Sequence, residues 1–174
     1  GVRIADFSHV IAGPYCTMIL ADMGADVIKI EPPHGDAARG YKSPDLGGDS
    51  TVFLSYNRNK RSVVLNLSLQ EGREVARDIV ERSDVLVENF ASGVMRRLDL
   101  DYAAMEKINP RLIYCSISAY GRSGPYAGRA GYDQVVQAES GFMSLNGSPG
   151  MEPLRTPLAM IDLTTGMFAA HAVL

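Results

Sequence analysis

Five short runs rich in β-branched residues recur along the chain, and each is separated from the next by a segment long enough to hold a helix. The runs are VRIADF (2–7), ADVIKI (25–30), SVVLNL (62–67), DVLVEN (84–89) and LIYCSIS (112–118). Strands that alternate with helix-length segments are typical of βαβ units, in which helices connect parallel strands. The spacing therefore predicts an α/β fold, a parallel sheet with flanking helices.

Helix signals lie between and after these runs. Ser68 is followed three positions later by Glu71, the pattern of a capping box, and apolar residues then continue at helical spacing. We therefore predict a helix over 68–83 with Ser68 as its N-cap. Two further helices are predicted around 101–108 and 132–140. Two segments rich in glycine, proline and charge, 31–51 and 119–131, fit neither a strand nor a helix, and loops of this length are usually functional or mobile.

Composition excludes several classes of function. The chain has 174 residues, a net charge of −3 and a pI of about 5.6, as expected for one globular domain. Its basic residues occur singly or in pairs, so we expect no nucleic-acid partner. The apolar runs are too short to cross a bilayer, so we expect no membrane partner and a cytoplasmic location.

Three kinds of chemistry lack their motifs. The chain has no GxxxxGK[ST] phosphate loop, and the turn after the first predicted strand lacks the spaced glycines of a dinucleotide-binding fingerprint. The three histidines, His9, His34 and His171, show no metal-ligand spacing and accompany no nucleophile elbow. Nicotinamide chemistry, a metal site and hydrolysis are therefore not predicted.

Asp162 is a single acid in the apolar stretch PLAMIDLTTGMFAAHAVL (157–174). It lies between a short apolar run and a helix predicted to start near Thr164, where it could serve as the N-cap. The alternative is a carboxylate at the carboxyl end of a parallel strand, where α/β folds place active sites and an ionised carboxylate can act as a nucleophile. Local chemistry leaves both interpretations open.

Six sequence motifs follow one another along the chain: AGPYCTMILADMGADVIKIEPP, NRNKRSVVLNL, SDVLVENF, NPRLIYCSISAYG, AGYDQVVQA and IDLTTGM. This succession resembles the class III CoA-transferase family, which contains formyl-CoA transferase, carnitine CoA-transferase and the α-methylacyl-CoA racemases. Family members are longer, and this chain ends in an apolar helix without a polar last turn. We therefore expect residues 1–174 to be the N-terminal part of the large, CoA-binding domain, without the small domain.

The resemblance implies a Rossmann-like sheet, an interlocked homodimer, and transfer of coenzyme A from an acyl-CoA to a carboxylic acid. Asp162 matches the catalytic aspartate, which would carry the acyl group as a mixed anhydride and then CoA as a thioester. Other residues match positions in contact with CoA (Leu65, Asn89, Phe90, Arg97), positions close to the thioester (His9, Ala12) and the pocket near the aspartate (Tyr132, Asp133).

Departures from formyl-CoA transferase concern mostly charge: Ile11 replaces a glutamine, Pro32 an arginine, and Ser68 and Ala130 each a lysine. Contacts to the CoA phosphates are then expected from other basic residues, namely Arg39, Lys60, Arg61 or Arg129.

Two alternative functions follow from the same resemblance. The racemases have a histidine where this chain has Tyr132, because they need acid/base groups on both sides of the α-carbon, and a phenol is a poor base at neutral pH. The sequence therefore favours CoA transfer over racemisation. A non-catalytic CoA-binding module is the second alternative, and the complete motif around Asp162 argues against it. Neither the acid nor the acyl group exchanged is predicted by the sequence.

Overall fold

The computed structural model describes residues 1–41 and 45–174, and its centre is a parallel sheet of five strands. These residues contain seven strands: β1 (Arg3–Asp6), β2 (Asp26–Glu31), β3 (Asp45–Leu46), β4 (Asp49–Ser50), β5 (Lys60–Val64), β6 (Val85–Glu88) and β7 (Ile113–Ser116). The sheet order is β5-β2-β1-β6-β7, and the two-residue strands β3 and β4 form a separate antiparallel pair. All five predicted strands are therefore confirmed. The middle of the predicted loop 31–51 lies outside the described residues.

In the described part of the chain, seven α-helices accompany the strands: α1 (Ala12–Asp22), α2 (Thr51–Asn57), α3 (Gln70–Glu81), α4 (Val94–Arg97), α5 (Tyr102–Ile108), α6 (Asp133–Glu139) and α7 (Met160–Val173). Two short 3-10 helices cover Ala37–Gly40 and Phe142–Leu145. Among the residues that the structure describes, no helix is both long enough and apolar enough to cross a membrane.

Helices cover both faces of the sheet because successive residues of a strand point to opposite sides. On one face, Ala5 and Leu86 pack with Ala76 of α3 and Met105 of α5. On the other face, the cluster consists of Ile4, Val85 and Val87 from the strands, Cys16 and Leu20 from α1, and Ala170 from α7. The result is a three-layer α/β/α domain, as the sequence predicts.

The predicted capping box of α3 is wrong. The helix begins at Gln70, and its N-cap is Leu69, whose side chain makes no capping hydrogen bond. Ser68 Oγ instead donates to Asn66 Oδ1 at 2.6 Å, closing a local turn before the helix. Such side-chain turns compete with capping for the same serine.

The predicted start of the last helix is also wrong. Helix α7 begins at Met160 rather than near Thr164, and its N-cap is Ala159. Residues 157–159 are not in a strand. Asp162 is therefore neither an N-cap nor the end of a strand, because it lies in the first turn of α7.

The strand order creates a crevice between two loops. From β1 the chain continues to β2 and β5 on one side, whereas β6 continues to β7 on the other. Since β1 and β6 are parallel neighbours, the loops that leave their carboxyl ends diverge. Open α/β sheets bind ligands at such a point.

Candidate active site

Two adjoining pockets lie at the carboxyl edge of the sheet. The first, which we call the aspartate pocket, has a volume of about 270 Å³. Six of the nine residues predicted for the site line it: Ala12, Asn89, Phe90, Tyr132, Asp133 and Asp162. The second, which we call the apolar pocket, has a volume of about 590 Å³ and includes His9, Leu65 and again Phe90. Phe90 thus lines both pockets.

Asp162 is a half-buried carboxylate on the wall of the aspartate pocket. Burial, and after it the negative charge of Asp133, raises the pKa of Asp162 from 3.8 to about 6. Both causes disfavour the ionised form. At neutral pH the carboxylate is still mostly ionised, but it is a stronger base than an ordinary aspartate, as a nucleophile should be.

Asp133 holds Asp162 in place through the backbone. Its buried carboxylate accepts hydrogen bonds from the N–H groups of Ile161, at 2.7 Å, and Asp162, at 3.2 Å. Its other oxygen accepts from Gln137 Nε2 at 2.5 Å. Helix α7 is therefore capped by a carboxylate from α6, which satisfies the free N–H groups of its first turn.

A glycine brings α7 against the start of α1. A Cβ atom on Gly166 would lie 2.7 Å from the carbonyl oxygen of Ala12 and 3.1 Å from the ring of Tyr15. Only glycine allows this approach. Gly166 is about one turn after Asp162, so the contact fixes Asp162 beside the loop between β1 and α1.

The loop after β1 is held in a strained conformation. Val10 has φ = 69°, a left-handed value that is unfavourable for a β-branched residue. Its N–H donates to both oxygens of Asp36, at 3.2 and 3.3 Å. The neighbouring His9 is fixed through its backbone, since His9 N–H donates to Asn89 Oδ1 at 2.8 Å and Asn89 Nδ2 donates to His9 O at 2.9 Å. These bonds join the loops after β1 and β6 at the crevice.

Buried ion pairs lie next to the loop after β1. Lys29 Nζ lies 2.9 Å from Asp36 Oδ2 and donates to Ser8 O at 2.8 Å. Lys60 Nζ lies 3.1 Å from Asp6 Oδ2. Burial alone would raise the pKa of Asp6, but the two lysines, together with hydrogen bonds from two hydroxyl groups, outweigh it and lower the value to about 2. The Asp6 carboxylate is therefore ionised at neutral pH.

Two aromatic rings line part of the apolar pocket. The rings of His9 and Phe90 lie 5.0 Å apart at an angle of 59°. Burial lowers the pKa of His9, although the charge of Asp36 opposes it, so the imidazole is neutral at neutral pH. Leu65 lines the pocket beside Pro32, and the mostly hydrocarbon lining suits a flat ring system.

The basic residues expected at the phosphates differ in their positions. Lys60 has a side chain only 2% exposed, within the buried network, and Arg61 pairs with Asp26 at the amino end of β2. Arg39 forms ion pairs with Glu31 and Asp49. Arg129 lines the aspartate pocket and pairs with Glu139. Of the four, Arg129 is thus the one that lies at this pocket.

Arg97, which the resemblance assigns to CoA, is an exposed residue at the end of the short helix α4. It lines neither the aspartate pocket nor the apolar pocket.

Some residues at the site were not identified from the sequence. Arg122, in the glycine-rich segment 119–131, lines the aspartate pocket, and Thr165 of α7 does so as well. Tyr41 and Tyr56 lie close enough to Asp162 that its charge adds to burial in raising the pKa of both phenols. Composition indicated that 119–131 is a functional or mobile loop, but only the folded chain shows which of its side chains reach the pocket.

Comparison with known proteins identifies relatives along the whole chain. A family model described as CoA-transferase family III matches residues 1–174, the whole chain. Succinyl-CoA:glutarate CoA-transferase of Mus musculus is 44% identical over 175 residues, which cover 100% of this chain and 40% of that protein. Acetyl-CoA:oxalate CoA-transferase of Acetobacter aceti is 46% identical over 170 residues, which cover 97% of this chain and 43% of that protein.

A solved structure shows the same fold. The crystal structure of a CAIB/BAIF family protein from Brucella suis superposes with a TM-score of 0.96 at 41% identity, over 99% of this chain and 47% of that one. The chain thus spans less than half the length of these relatives. Because sequence and fold agree over its whole length, the chain belongs to CoA-transferase family III.

Proposed function

We propose that the protein transfers coenzyme A from an acyl-CoA thioester to a carboxylic acid, with Asp162 as the covalent carrier. The observation that carries this proposal is the position of Asp162, a half-buried carboxylate with a pKa near 6 on the wall of a pocket. Within residues 1–41 and 45–174, no positive charge counteracts the rise in its pKa. Its charge is therefore available to attack an electrophile.

The proposed reaction proceeds through two kinds of intermediate. Asp162 attacks the thioester carbonyl, the C–S bond breaks, and CoA leaves as a thiolate, which gives a mixed anhydride. The thiolate then attacks the aspartyl carbonyl, releases the donor acid as its carboxylate and forms an aspartyl-CoA thioester. The acceptor carboxylate repeats both steps in reverse order and regenerates Asp162. A serine ester would be too stable to return CoA to an acid, which explains the use of a carboxylate.

The two pockets suggest how the substrate lies. We place the adenosine end of CoA in the apolar pocket beside Leu65 and the thioester in the aspartate pocket, with the pantetheine arm passing His9 and Phe90. Asn89 fixes both the His9 backbone and the boundary of the aspartate pocket. The chain, as the N-terminal part of the large domain, would work within the interlocked homodimer that the family resemblance implies, in the cytoplasm.

An exchange assay tests the proposal directly. The protein at full length is incubated with an acyl-CoA and a panel of acids, and new thioesters are identified by mass spectrometry. Relatives are named for glutarate and oxalate, so dicarboxylic acids head the panel, with monocarboxylic acids of similar size as controls. We expect a new acyl-CoA with at least one acid. If every acid fails while CoA still binds, the binding-module alternative replaces transfer.

The pH profile should follow Asp162. Because the nucleophile must be ionised, we expect kcat/KM to fall on the acid side with a midpoint near pH 6. Asp133→Asn removes the neighbouring negative charge and should move this midpoint to lower pH, since that charge raises the pKa of Asp162. The test is to measure kcat/KM against pH for the unmodified protein and for Asp133→Asn. If kcat/KM falls at the same acid pH in both, another group controls the rate.

Exchange of the α-proton with solvent distinguishes racemisation from CoA transfer. Tyr132 lines the pocket near Asp162, and a phenol is a poor base at neutral pH. We therefore expect the protein, without an acceptor acid, to leave the α-proton of a 2-methylacyl-CoA unexchanged in deuterated water on the timescale of CoA transfer. Catalytic incorporation of deuterium, followed by mass spectrometry, would favour racemisation.

A further inference from the structure

The peptide groups on either side of Phe90 are fixed by two oppositely charged side chains. Its N–H donates to Glu88 Oε2 at 2.9 Å, and its carbonyl oxygen accepts from Arg122 Nη1 at 3.0 Å. The two side chains also form an ion pair, with Arg122 Nη2 at 2.7 Å from Glu88 Oε1. Both hydrogen-bonding groups of Phe90 are thus bonded to one ion pair.

The anionic half of this pair is part of the sheet. Glu88 is the last residue of β6, and its side chain is only 3% exposed. Ser116, at the end of the neighbouring strand β7, donates its hydroxyl to the same carboxylate. A buried carboxylate in so many charge-assisted bonds is rigidly placed.

The cationic half comes from a loop. Arg122 follows Gly121, which has φ = 79°, in the glycine-rich segment 119–131. Its Nε donates to Ser116 Oγ at 2.8 Å, so the guanidinium reaches the sheet as well as Phe90. An arginine can bond several acceptors at once because its donors form a planar fork.

From these contacts we infer that the Glu88–Arg122 ion pair positions the Phe90 side chain at the boundary of the two pockets and thereby sets the affinity for CoA. The inference rests on the proposed function for its ligand. Phe90 lines both pockets, so a shift of its backbone changes both. This role acts through Phe90 and not through direct contact with CoA; because Arg122 also lines the aspartate pocket, hydrogen exchange at Phe90 is the readout that identifies the positioning role.

The test compares Arg122→Met and Arg122→Lys with a matched control in the protein at full length. Arg77 is a suitable control, because it also bonds a carboxylate and a backbone carbonyl, both of Asp99, and its side chain is 30% exposed against 34% for Arg122. CoA binding is measured by calorimetry with CoA itself, and the Phe90 amide is followed by hydrogen exchange.

We expect Arg122→Met to weaken CoA binding roughly tenfold and to speed exchange of the Phe90 amide. Arg122→Lys keeps the positive charge beside Glu88 but lacks the planar fork of donors. It should therefore be more thermally stable than Arg122→Met, while its CoA affinity stays below that of the unmodified protein. Arg77→Met should change neither CoA binding nor Phe90 exchange.

Two outcomes separate the inference from the proposed function. If the unmodified protein fails to bind CoA, the proposed function is wrong, and Phe90 exchange still reports on the ion pair. If the unmodified protein binds CoA, and Arg122→Met keeps both its CoA affinity and its Phe90 exchange rate, the positioning role is wrong. Should Arg122→Met not fold, the same comparison is made with Arg122→Lys, for which full CoA affinity would overturn the inference.

Discussion

Replacing Asp162 by asparagine should abolish CoA exchange, with a fall in kcat of roughly three orders of magnitude or more, because an amide cannot form the mixed anhydride. Helix α7 should remain intact, since its cap comes from Asp133, which bonds the backbone N–H of residue 162 and not its side chain. Steady-state assays with the full-length protein measure the loss, and Asp162→Ala excludes activity recovered by deamidation. Asp26→Asn, at the amino end of β2, serves as the control.

The same variant should be more stable than the unmodified protein at neutral pH. Folding raises the pKa of Asp162 from 3.8 to about 6, so the folded state binds this proton more tightly than the unfolded state. The free energy of unfolding therefore falls as the pH rises from 3.8 to about 6, and it stays lower at higher pH. Asparagine removes this cost, which we expect to amount to about 1 to 2 kcal/mol. Loss of activity with lower stability would instead indicate a folding defect.

The second large effect concerns Lys60. Lys60→Met removes the cation that faces Asp6 at 3.1 Å and leaves a fully buried carboxylate with one fewer charged partner. We expect the free energy of unfolding to fall by about 3 to 5 kcal/mol, the usual cost of breaking a buried pair from one side. Chemical denaturation followed by circular dichroism measures the change.

Its neighbour Arg61 provides the matched control. Arg61 also pairs with an aspartate, Asp26, but its side chain is 67% exposed. Arg61→Met should therefore cost less than about 1 kcal/mol. The double variant Asp6→Asn with Lys60→Met should recover part of the stability lost in Lys60→Met, because neither charge is then left unpaired. Equal losses for Lys60→Met and Arg61→Met would contradict a supporting role of the buried network.

The sheet could be predicted because its signal is local. Runs such as DVLVEN are apolar at consecutive positions, as strands buried on both faces must be, and β6 is indeed buried throughout. The family resemblance then indicated residues that the fold brings together from distant segments. Asn89 and Asp162, for example, are far apart in sequence and line one pocket.

What could not be predicted depends on contacts between distant segments. Asp162 fits the pattern of an N-cap, but the side chain that bonds the free N–H groups of α7 belongs to Asp133, on another helix. Lys29 falls inside a predicted strand, where its charge gives no hint that it is buried against Asp36. The left-handed conformation of Val10 has no sequence signal either, because valine rarely adopts it. Here the hydrogen bond from Val10 N–H to the Asp36 carboxylate stabilises that conformation.

The measurement closest to the central claim is chemical trapping of the intermediate on Asp162. The full-length protein is incubated with an acyl-CoA and treated with hydroxylamine or borohydride, and its peptides are then sequenced by mass spectrometry. An activated carboxyl at Asp162 should give the aspartyl hydroxamate with hydroxylamine and homoserine with borohydride, and neither product should form without acyl-CoA. Modification of a different residue, or labelling that persists in Asp162→Ala, would contradict the assignment of Asp162 as the covalent carrier.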